Sequence, residues 1–431
     1  MTGQERRKVA IIGAGPGGLA TTRVFLENTT TFDIKIFEKD SQIGGVWYYP
    51  EDNKEGRVMY DYLETNLSKE LMQFSGFPFG EHIRKFPTRN DVYDYLRSYY
   101  KRFIVNNERV QIHFNNEVTG IKKVKNEWEV TIKDEEDVLK FDYVVIATGH
   151  FTEPNIPKGI PNLEHWFTNK HAFHAKDFQN AEIARGKTIV VIGNGSSGTD
   201  IRNQLSTVAR KVYNSVNDPS LSSPLDNFKD IIELVPKIIK TNWESRSIEL
   251  EDGRVLKNVD YLIYATGYLY AFPFFEEKMK VELLGEDRTS KGVHHLWEHL
   301  FYQPDPTLAF SLLPTMVVPF PLAELQACVI VKVFTNKLTV SKHTEEDFGN
   351  RHGFSFATGE DIDYYRHLQA LLEMSGGNDD PFQPVKWDES HKRLRIKNVK
   401  DKENRNLLLS KFASELRERK EVYRLPPPEY T

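Results

Sequence analysis

Six glycines carry the clearest chemical message in this 431-residue chain. Gly13, Gly15 and Gly18 stand in V-A-I-I-G-A-G-P-G-G-L (9–19), and Gly193, Gly195 and Gly198 in V-V-I-G-N-G-S-S-G-T-D (190–200). In each stretch an apolar run ends on G-x-G-x-x-G and opens into a helical pattern. The first glycine of such a loop allows a tight turn, the second lets a pyrophosphate approach the backbone, and the third lets the helix pack on the strand. The helix N-terminus then offers unpaired N–H groups and a partial positive charge to the phosphates. Each loop is expected to hold one dinucleotide. Two cradles in one chain suit hydride passage between two dinucleotides, and the usual pair is a flavin and a nicotinamide.

The ribose positions differ between the loops. Glu38 ends the strand after the first loop, where a carboxylate grips ribose hydroxyls. After the second loop no acid ends the strand. Ser215 stands there, with Arg210 and Lys211 just upstream. Hydroxyls and cations accept a 2′-phosphate that a carboxylate would repel, which favours NADPH over NADH. Two alternatives stay open: Arg210 and Lys211 as a solvated helix end, and Asp218 turning inward to favour NADH.

The elements that must position these residues follow from hydrophobic periodicity. Lys8–Ile12 reads as a buried parallel strand, 19–28 as a helix and 32–40 as the next strand, forming one βαβ unit. A helix is expected over 89–103. Several antiparallel strands are expected between 110 and 149, ending in a buried one. A second βαβ unit begins at Thr188, with 209–216 as its second strand, and closes at 253–268. F-D-Y-V-V-I-A-T-G-H (141–150) and V-D-Y-L-I-Y-A-T-G-Y (259–268) are near copies, each ending an apolar strand at A-T-G. The expected fold class is α/β, with two nested Rossmann-like dinucleotide-binding domains, the smaller inserted into the larger. Residues 1–175 and 271–431 form the FAD-binding domain, the latter part carrying C-terminal helices, and 176–270 form the NADPH-binding domain. Beyond about 330 the chain reads as helical and charged, with no chemistry assigned.

Composition narrows the partners. Hydrophobic residues make up 39% and charged residues 28%, enough for a sizeable core without expected disorder. The formal net charge of −5 argues against nucleic acid. Cys328 is the one cysteine, so a dithiol relay and an intramolecular disulfide are both excluded. The thirteen histidines are scattered and no metal site is expected. The N-terminal stretch lacks the form of a secretory signal, and no run of about 18 apolar residues would span a membrane.

G-A-G-P-G-G, then I-G-G-V-W-Y-Y (43–49), Y-D-Y-L-E-T-N-L-S-K-E-L-M-Q-F-S-G-F-P-F (60–79), G-N-G-S-S-G-T-D and Y-A-T-G-Y (264–268) together resemble the flavin-containing monooxygenases, most closely their short fungal members. The match runs in order from about residue 8 to about 330. The family's stretch F-x-G-x-x-x-H-x-x-x-[YFW] is met only in part by T-N-K-H-A-F-H-A-K-D-F (168–178), which keeps His174 and Phe178 but has Thr168 and Lys170 for Phe and Gly. His174 reads equally as a hinge or packing residue. The resemblance implies that Ala14, Pro16 and Gly17 complete the first cradle, and that Ser196, Ser197, Thr199 and Asp200 extend the second. Asp200 could equally be an ordinary first-turn acid. It implies that Gly45, Val46, Trp47 and Leu67 wrap the flavin, that Thr65 helps seat the nicotinamide, and that Asn66 acts beside the flavin ring. On the residues alone Asn66 reads as a turn or cap asparagine.

The implied activity is oxygenation of small soft nucleophiles (thiols, sulfides, amines) by dioxygen, with FAD and NADPH, through a flavin hydroperoxide. A Baeyer–Villiger reaction on ketones and an uncoupled NADPH oxidase are the alternatives. The expected location is the cytoplasm or the cytosolic face of the endoplasmic reticulum, with peripheral membrane contact and homodimerisation left open.

Overall fold

The structure, a computed structural model, describes residues 6–51, 56–219, 228–286, 292–341, 353–357 and 359–428. The chain divides by its contacts into two compact units, and each passes back and forth along the sequence.

One unit comprises Met1–Tyr48, Leu67–Thr152 and Leu269–Asn398. Its seven-stranded sheet runs Leu296–Trp297, Phe301–Tyr302, Leu308–Phe310, Tyr143–Ile146, Arg7–Ile12, Phe32–Phe37, Val110–His113. All strands from Leu308–Phe310 onward pair in parallel. Parallel neighbours need a crossover, and the helix Pro16–Asn28 provides it between Arg7–Ile12 and Phe32–Phe37. Val9, Ala10 and Ile11 are fully buried because both faces of the sheet are covered, which explains the unbroken apolar run. Alternate side chains serve opposite cores. Val9, Ile11, Ile34, Ile36 and Val145 join the helical layer, whereas Ala10, Ile12, Val144 and Ile146 join Trp128, Val130 and Phe141 of an antiparallel three-stranded sheet, Val118–Val124, Glu127–Ile132 and Val138–Phe141. The helical layer centres on Pro319–Phe334, which is buried all round and packs on Pro16–Asn28.

One sequence expectation changes here. Val110–His113 does not belong to the antiparallel set; it is the edge of the main sheet, parallel to Phe32–Phe37. The helix Arg89–Phe103 before it provides the crossover, started by a capping box in which Thr88 accepts from Asp91 N–H and Asp91 accepts from Thr88 N–H.

The other unit comprises Tyr49–Asn66, Glu153–Tyr268 and Val399–Thr431. Its five-stranded sheet is parallel throughout, in the order Ile232–Val235, Lys211–Ser215, Thr188–Ile192, Tyr261–Tyr264, Ala172–His174. The helix Ser196–Leu205 links Thr188–Ile192 to Lys211–Ser215. Ile189, Val191, Ile201, Leu205 and Ile263 share a core with Tyr60, Phe412 and Leu416, so segments remote in sequence close over the sheet. The opposite face packs Val190, Leu262 and Tyr264 against Trp166, Ile248 and Leu250. The α/β class, with one mainly parallel and one wholly parallel sheet, each built around a glycine loop, is the one expected.

Candidate functional site

In the first unit, Gly13 has φ +104°, and a Cβ there would lie 2.6 Å from the Ala147 carbonyl oxygen. A Cβ on Gly18 would strike the Gly13 carbonyl oxygen. Gly15 caps the helix with extended backbone and no side-chain acceptor, and Pro16 follows at the first helical position, so the N–H groups of the first turn point out uncapped. Glu38 folds back on this turn. Its Oε2 accepts from the Ala14 N–H at 2.7 Å and its Oε1 from the Asp40 N–H at 2.9 Å. Burial raises its pKa, while those two N–H groups pull the other way. The Gly44 N–H donates to the Ala14 carbonyl at 2.9 Å, bringing the turn Gly45–Trp47 against the loop, where a Cβ on Gly45 would sit 3.0 Å from the Gly15 Cα. Val46, Trp47 and Leu67 are half-buried, with Trp47 edge-on to Phe320. An uncapped helix turn, glycines that close on each other and an inward carboxylate fit an adenine dinucleotide such as FAD.

The second unit repeats the device. Gly193 has φ +107°, and a Cβ on it would strike the Ala265 carbonyl oxygen; one on Gly198 would strike the Gly193 carbonyl oxygen. A Cβ on Gly195, in contrast, would meet no atom within 4 Å, and the loop surface from Asn194 to Ser197 is exposed. The helix Ser196–Leu205 again begins without a side-chain cap. Beneath the loop, Asn214 donates to the Val191 and Gly193 carbonyls at 3.0 and 2.9 Å, and Arg202 donates to the Oδ1 atoms of Asn214 and Asn194 at 2.6 and 3.0 Å. Arg202 is buried, and that burial lowers its pKa. A positive side chain under an exposed turn of N–H groups suits an anionic pyrophosphate.

The A-T-G echo now has a physical reason. In both units the A-T-G strand runs parallel to the strand that leads into the glycine loop. Ile146 pairs with Ile12 and Tyr264 with Ile192. The alanine that follows donates its N–H back, Ala147 to the Ile12 carbonyl at 2.9 Å and Ala265 to the Ile192 carbonyl at 2.8 Å. Its own carbonyl then lies over the first glycine of the loop. His174 braces the second copy: its Nε2 meets the Gly267 carbonyl at 3.0 Å and its Nδ1 accepts from the Lys176 N–H at 3.1 Å. Burial holds the ring neutral, with a pKa lowered to about 4. His174 is thus a latch, and Phe178 packs edge-on against Tyr60.

Several other candidate side chains have partners within the protein. Asp200 is directed to Tyr60, whose hydroxyl donates at 2.5 Å, and to Gln204 at 3.1 Å; Asn194 takes the Thr199 hydroxyl at 3.3 Å. Ser215 is buried and donates to the Pro236 carbonyl at 3.0 Å. Lys211 opens the strand that Ser215 closes, so the cations upstream lie at the end of the strand away from the loop. Arg210 is bound to Thr188 and Asp260, and Lys211 to Glu233. The preference for NADPH therefore does not rest on these side chains. Thr65 is buried and Asn66 is exposed, directly after a buried Glu64 that pairs with Arg405. Sequence reasoning missed Tyr60, Glu64, Arg202, Lys402 and Arg405. For Lys402 and Arg405 the visible signal was the charge of the C-terminal helix pattern, while Tyr60 and Glu64 stand in the stretch 60–79 that carries the family resemblance.

A model of the family described as flavin-binding monooxygenase-like matches residues 6–223 and 224–370. The chain is 49% identical to the thiol-specific monooxygenase of Saccharomyces cerevisiae, over 99% of this chain and 100% of that one. It is 30% identical to the flavin-containing monooxygenase FMO GS-OX3 of Arabidopsis thaliana, over 78% of this chain and 75% of that one. Among solved structures, S-allyl-L-cysteine S-oxygenase from Allium sativum superposes with a TM-score of 0.75 at 26% identity, covering 96% of this chain and 99% of that one.

Proposed function

The chain belongs to the flavin-binding monooxygenase-like family, and on that premise we propose that it oxygenates the sulfur of small thiols with NADPH and dioxygen. It is an oxidoreductase of the flavoprotein monooxygenase class. The observation that carries the choice of sulfur is the identity, across nearly the whole chain, to a thiol-specific monooxygenase. The likeness to an S-oxygenase supports the same choice. FAD, once bound and reduced by NADPH, supplies the activation of dioxygen, of which one atom goes to the nucleophile and the other leaves as water.

The chain's own residues bind, orient and exclude water. The turn from Gly13 to Gly18 seats the FAD pyrophosphate, and Glu38 takes a ribose hydroxyl on a lone pair left free by the Ala14 and Asp40 N–H groups. Gly193, Gly195, Ser196, Ser197 and Gly198 seat the pyrophosphate of NADPH, with Arg202 adding positive charge from beneath. Val46, Trp47 and Leu67 give the flavin ring apolar neighbours that keep water away. Thr65 seats the nicotinamide end. Asn66 places a neutral amide beside the ring, which donates a hydrogen bond without offering a base.

No protein nucleophile is required, because the substrate sulfur makes the attack. The product is a sulfenic acid; a second thiol converts it to a disulfide with loss of water. Cys328, single and buried, leaves no protein dithiol to reduce that product. A reducing cytoplasm supplies thiols, and we place the reaction there. Among the described residues no helix is long and apolar enough to cross a membrane.

The test is NADPH consumption with cysteamine, a tertiary amine and a cyclic ketone in parallel, with peroxide and disulfide measured. We expect cysteamine to accelerate turnover and form cystamine with little peroxide. Turnover with the ketone alone would assign a Baeyer–Villiger reaction instead. Peroxide equal to NADPH consumed, whatever is added, would make the chain an oxidase.

A further inference from the structure

The helix Glu389–Glu418 has no part in either cradle, and its sequence suggested no chemistry. Its side chains converge on one short segment. Arg405 clasps Glu64 in a two-pronged pair, with Nη2 at 2.9 Å from Oε2 and Nε at 3.1 and 3.2 Å from the two oxygens. Lys402 donates to the Thr65 carbonyl at 2.8 Å and reaches Glu64 at 3.4 Å. One turn earlier, Asn398 accepts from the Ser68 N–H at 2.8 Å. Residues 398, 402 and 405 recur at the spacing of a single helix face. Their three targets, Ser68, Thr65 and Glu64, lie on either side of Asn66 in the chain.

The near end of the same segment is held separately. Tyr60 donates to Asp200, and Gln204 donates to Asp200 and to the Tyr62 carbonyl, at 3.1 and 3.4 Å. Glu64 is 8% exposed, and Lys402 and Arg405 are mostly covered. A buried ion cluster of this kind is a weak source of net stability, because desolvation offsets its attraction, but its directional bonds fix where a backbone lies. Asn66 itself is exposed, so packing alone does not set its position.

We propose that Arg405 and Lys402 are positioning residues, which hold the Glu64–Thr65 backbone so that Asn66 stands in its reactive place. This rests on the reading of Asn66 as the amide beside the flavin. The clasp acts at a distance from the chemistry: Arg405 and Lys402 touch Glu64 and Thr65, and Asn66 follows in the chain. Misplacing a catalytic group by about 1 Å can lower a rate by about a hundredfold. Releasing one clasp should therefore spoil the use of oxygen, while the glycine loop and Arg202, which the clasp does not touch, keep most of the nucleotide affinity.

The experiment uses the full-length, FAD-loaded enzyme with cysteamine as thiol. Arg405→Gln, Arg405→Lys, Lys402→Met and Asn66→Asp are compared with the unmodified chain for peroxide released per NADPH consumed, KM for NADPH, and thermal midpoint. Arg405→Gln is expected to raise the peroxide fraction about tenfold with KM for NADPH changed less than about twofold. Arg405→Lys should recover most of the coupling, since it keeps the charge while losing the fork. Lys402→Met should fall between. If Arg405→Gln does not fold, Lys402→Met carries the comparison, and a peroxide fraction equal to that of the unmodified chain overturns the proposal. If peroxide release merely follows the thermal midpoint across the set, the clasp is structural and the proposal is overturned. Uncoupling by Asn66→Asp with full coupling in the Arg405 and Lys402 variants also rejects the clasp while keeping Asn66. Full coupling in Asn66→Asp removes the reading of Asn66, and the clasp falls with it.

Discussion

Gly195→Ala separates a glycine needed by the fold from one needed by a ligand. Gly195 has φ −71° and ψ −174°, an extended conformation that alanine adopts freely. A methyl group there meets no protein atom within 4 Å. Alanine is a poorer N-cap than glycine by up to about 1 kcal/mol, and the loss of unfolded-state entropy returns about 0.4–1 kcal/mol. The two nearly cancel, so the thermal midpoint should move by less than about 2 °C. On the proposed reading, the same methyl stands where a pyrophosphate approaches the loop N–H groups. Pushing a phosphate away from one charge-assisted hydrogen bond loses about 1.5–3 kcal/mol, which is about a 10- to 150-fold rise in Kd for NADPH. Fluorescence titration with NADPH, beside a FAD content assay and a melting curve, measures all three quantities. Unchanged NADPH affinity would refute the assignment of this loop to a nucleotide. A collapse of the melting temperature would refute the claim that the space at Gly195 is free.

Glu38→Ala should lower FAD content on purification and weaken FAD about 10- to 100-fold in reconstitution, since the carboxylate that braces the loop, and that we propose takes a ribose hydroxyl, is lost. His174 ionises near 6.5 when unfolded but only near 4 in the fold, so its contribution is complete above pH 6.5 and is lost as pH falls toward 4, up to about 3 kcal/mol. Melting curves from pH 7 to 4 should therefore fall less steeply for His174→Gln than for the unmodified chain; parallel slopes would contradict the latch. Cys328→Ala should keep thiol-dependent NADPH turnover within about twofold, because burial pushes that thiol's pKa up and leaves it inert. Loss of turnover without loss of folded protein would give the cysteine a part in the chemistry.

Both cradles were legible because everything that makes them is local. An apolar run, three spaced glycines and a helix pattern occupy about thirty residues, and the structure forms them where that pattern lies. The A-T-G echo was visible, yet its meaning depends on strand pairing across the sheet, where Ala147 and Ala265 lie over Gly13 and Gly193. Side-chain direction was less legible. Ser215 sits at the expected ribose position by count, but its hydroxyl turns inward to Pro236, because an oxygen buried there needs an acceptor. Arg210 and Lys211 are near Ser215 in sequence, but a strand separates them from the loop. Asp200 read either as part of the second cradle or as an ordinary first-turn acid, and its partner Tyr60 lies 140 residues away. The grouping of 49–66 and 399–431 with the second unit has no local signature at all, since it is made by Tyr60, Phe412 and Leu416 filling one core.

The claim on which the rest depends is that the two cradles serve one electron transfer. Its most direct test is an anaerobic titration of the FAD-loaded chain with NADPH, followed by the visible absorbance of the oxidised flavin. The account predicts complete bleaching by one equivalent of NADPH per chain, and much weaker bleaching at that ratio in Gly195→Ala. An oxidised flavin that persists in the unmodified chain, with NADPH bound and unconsumed, would contradict it.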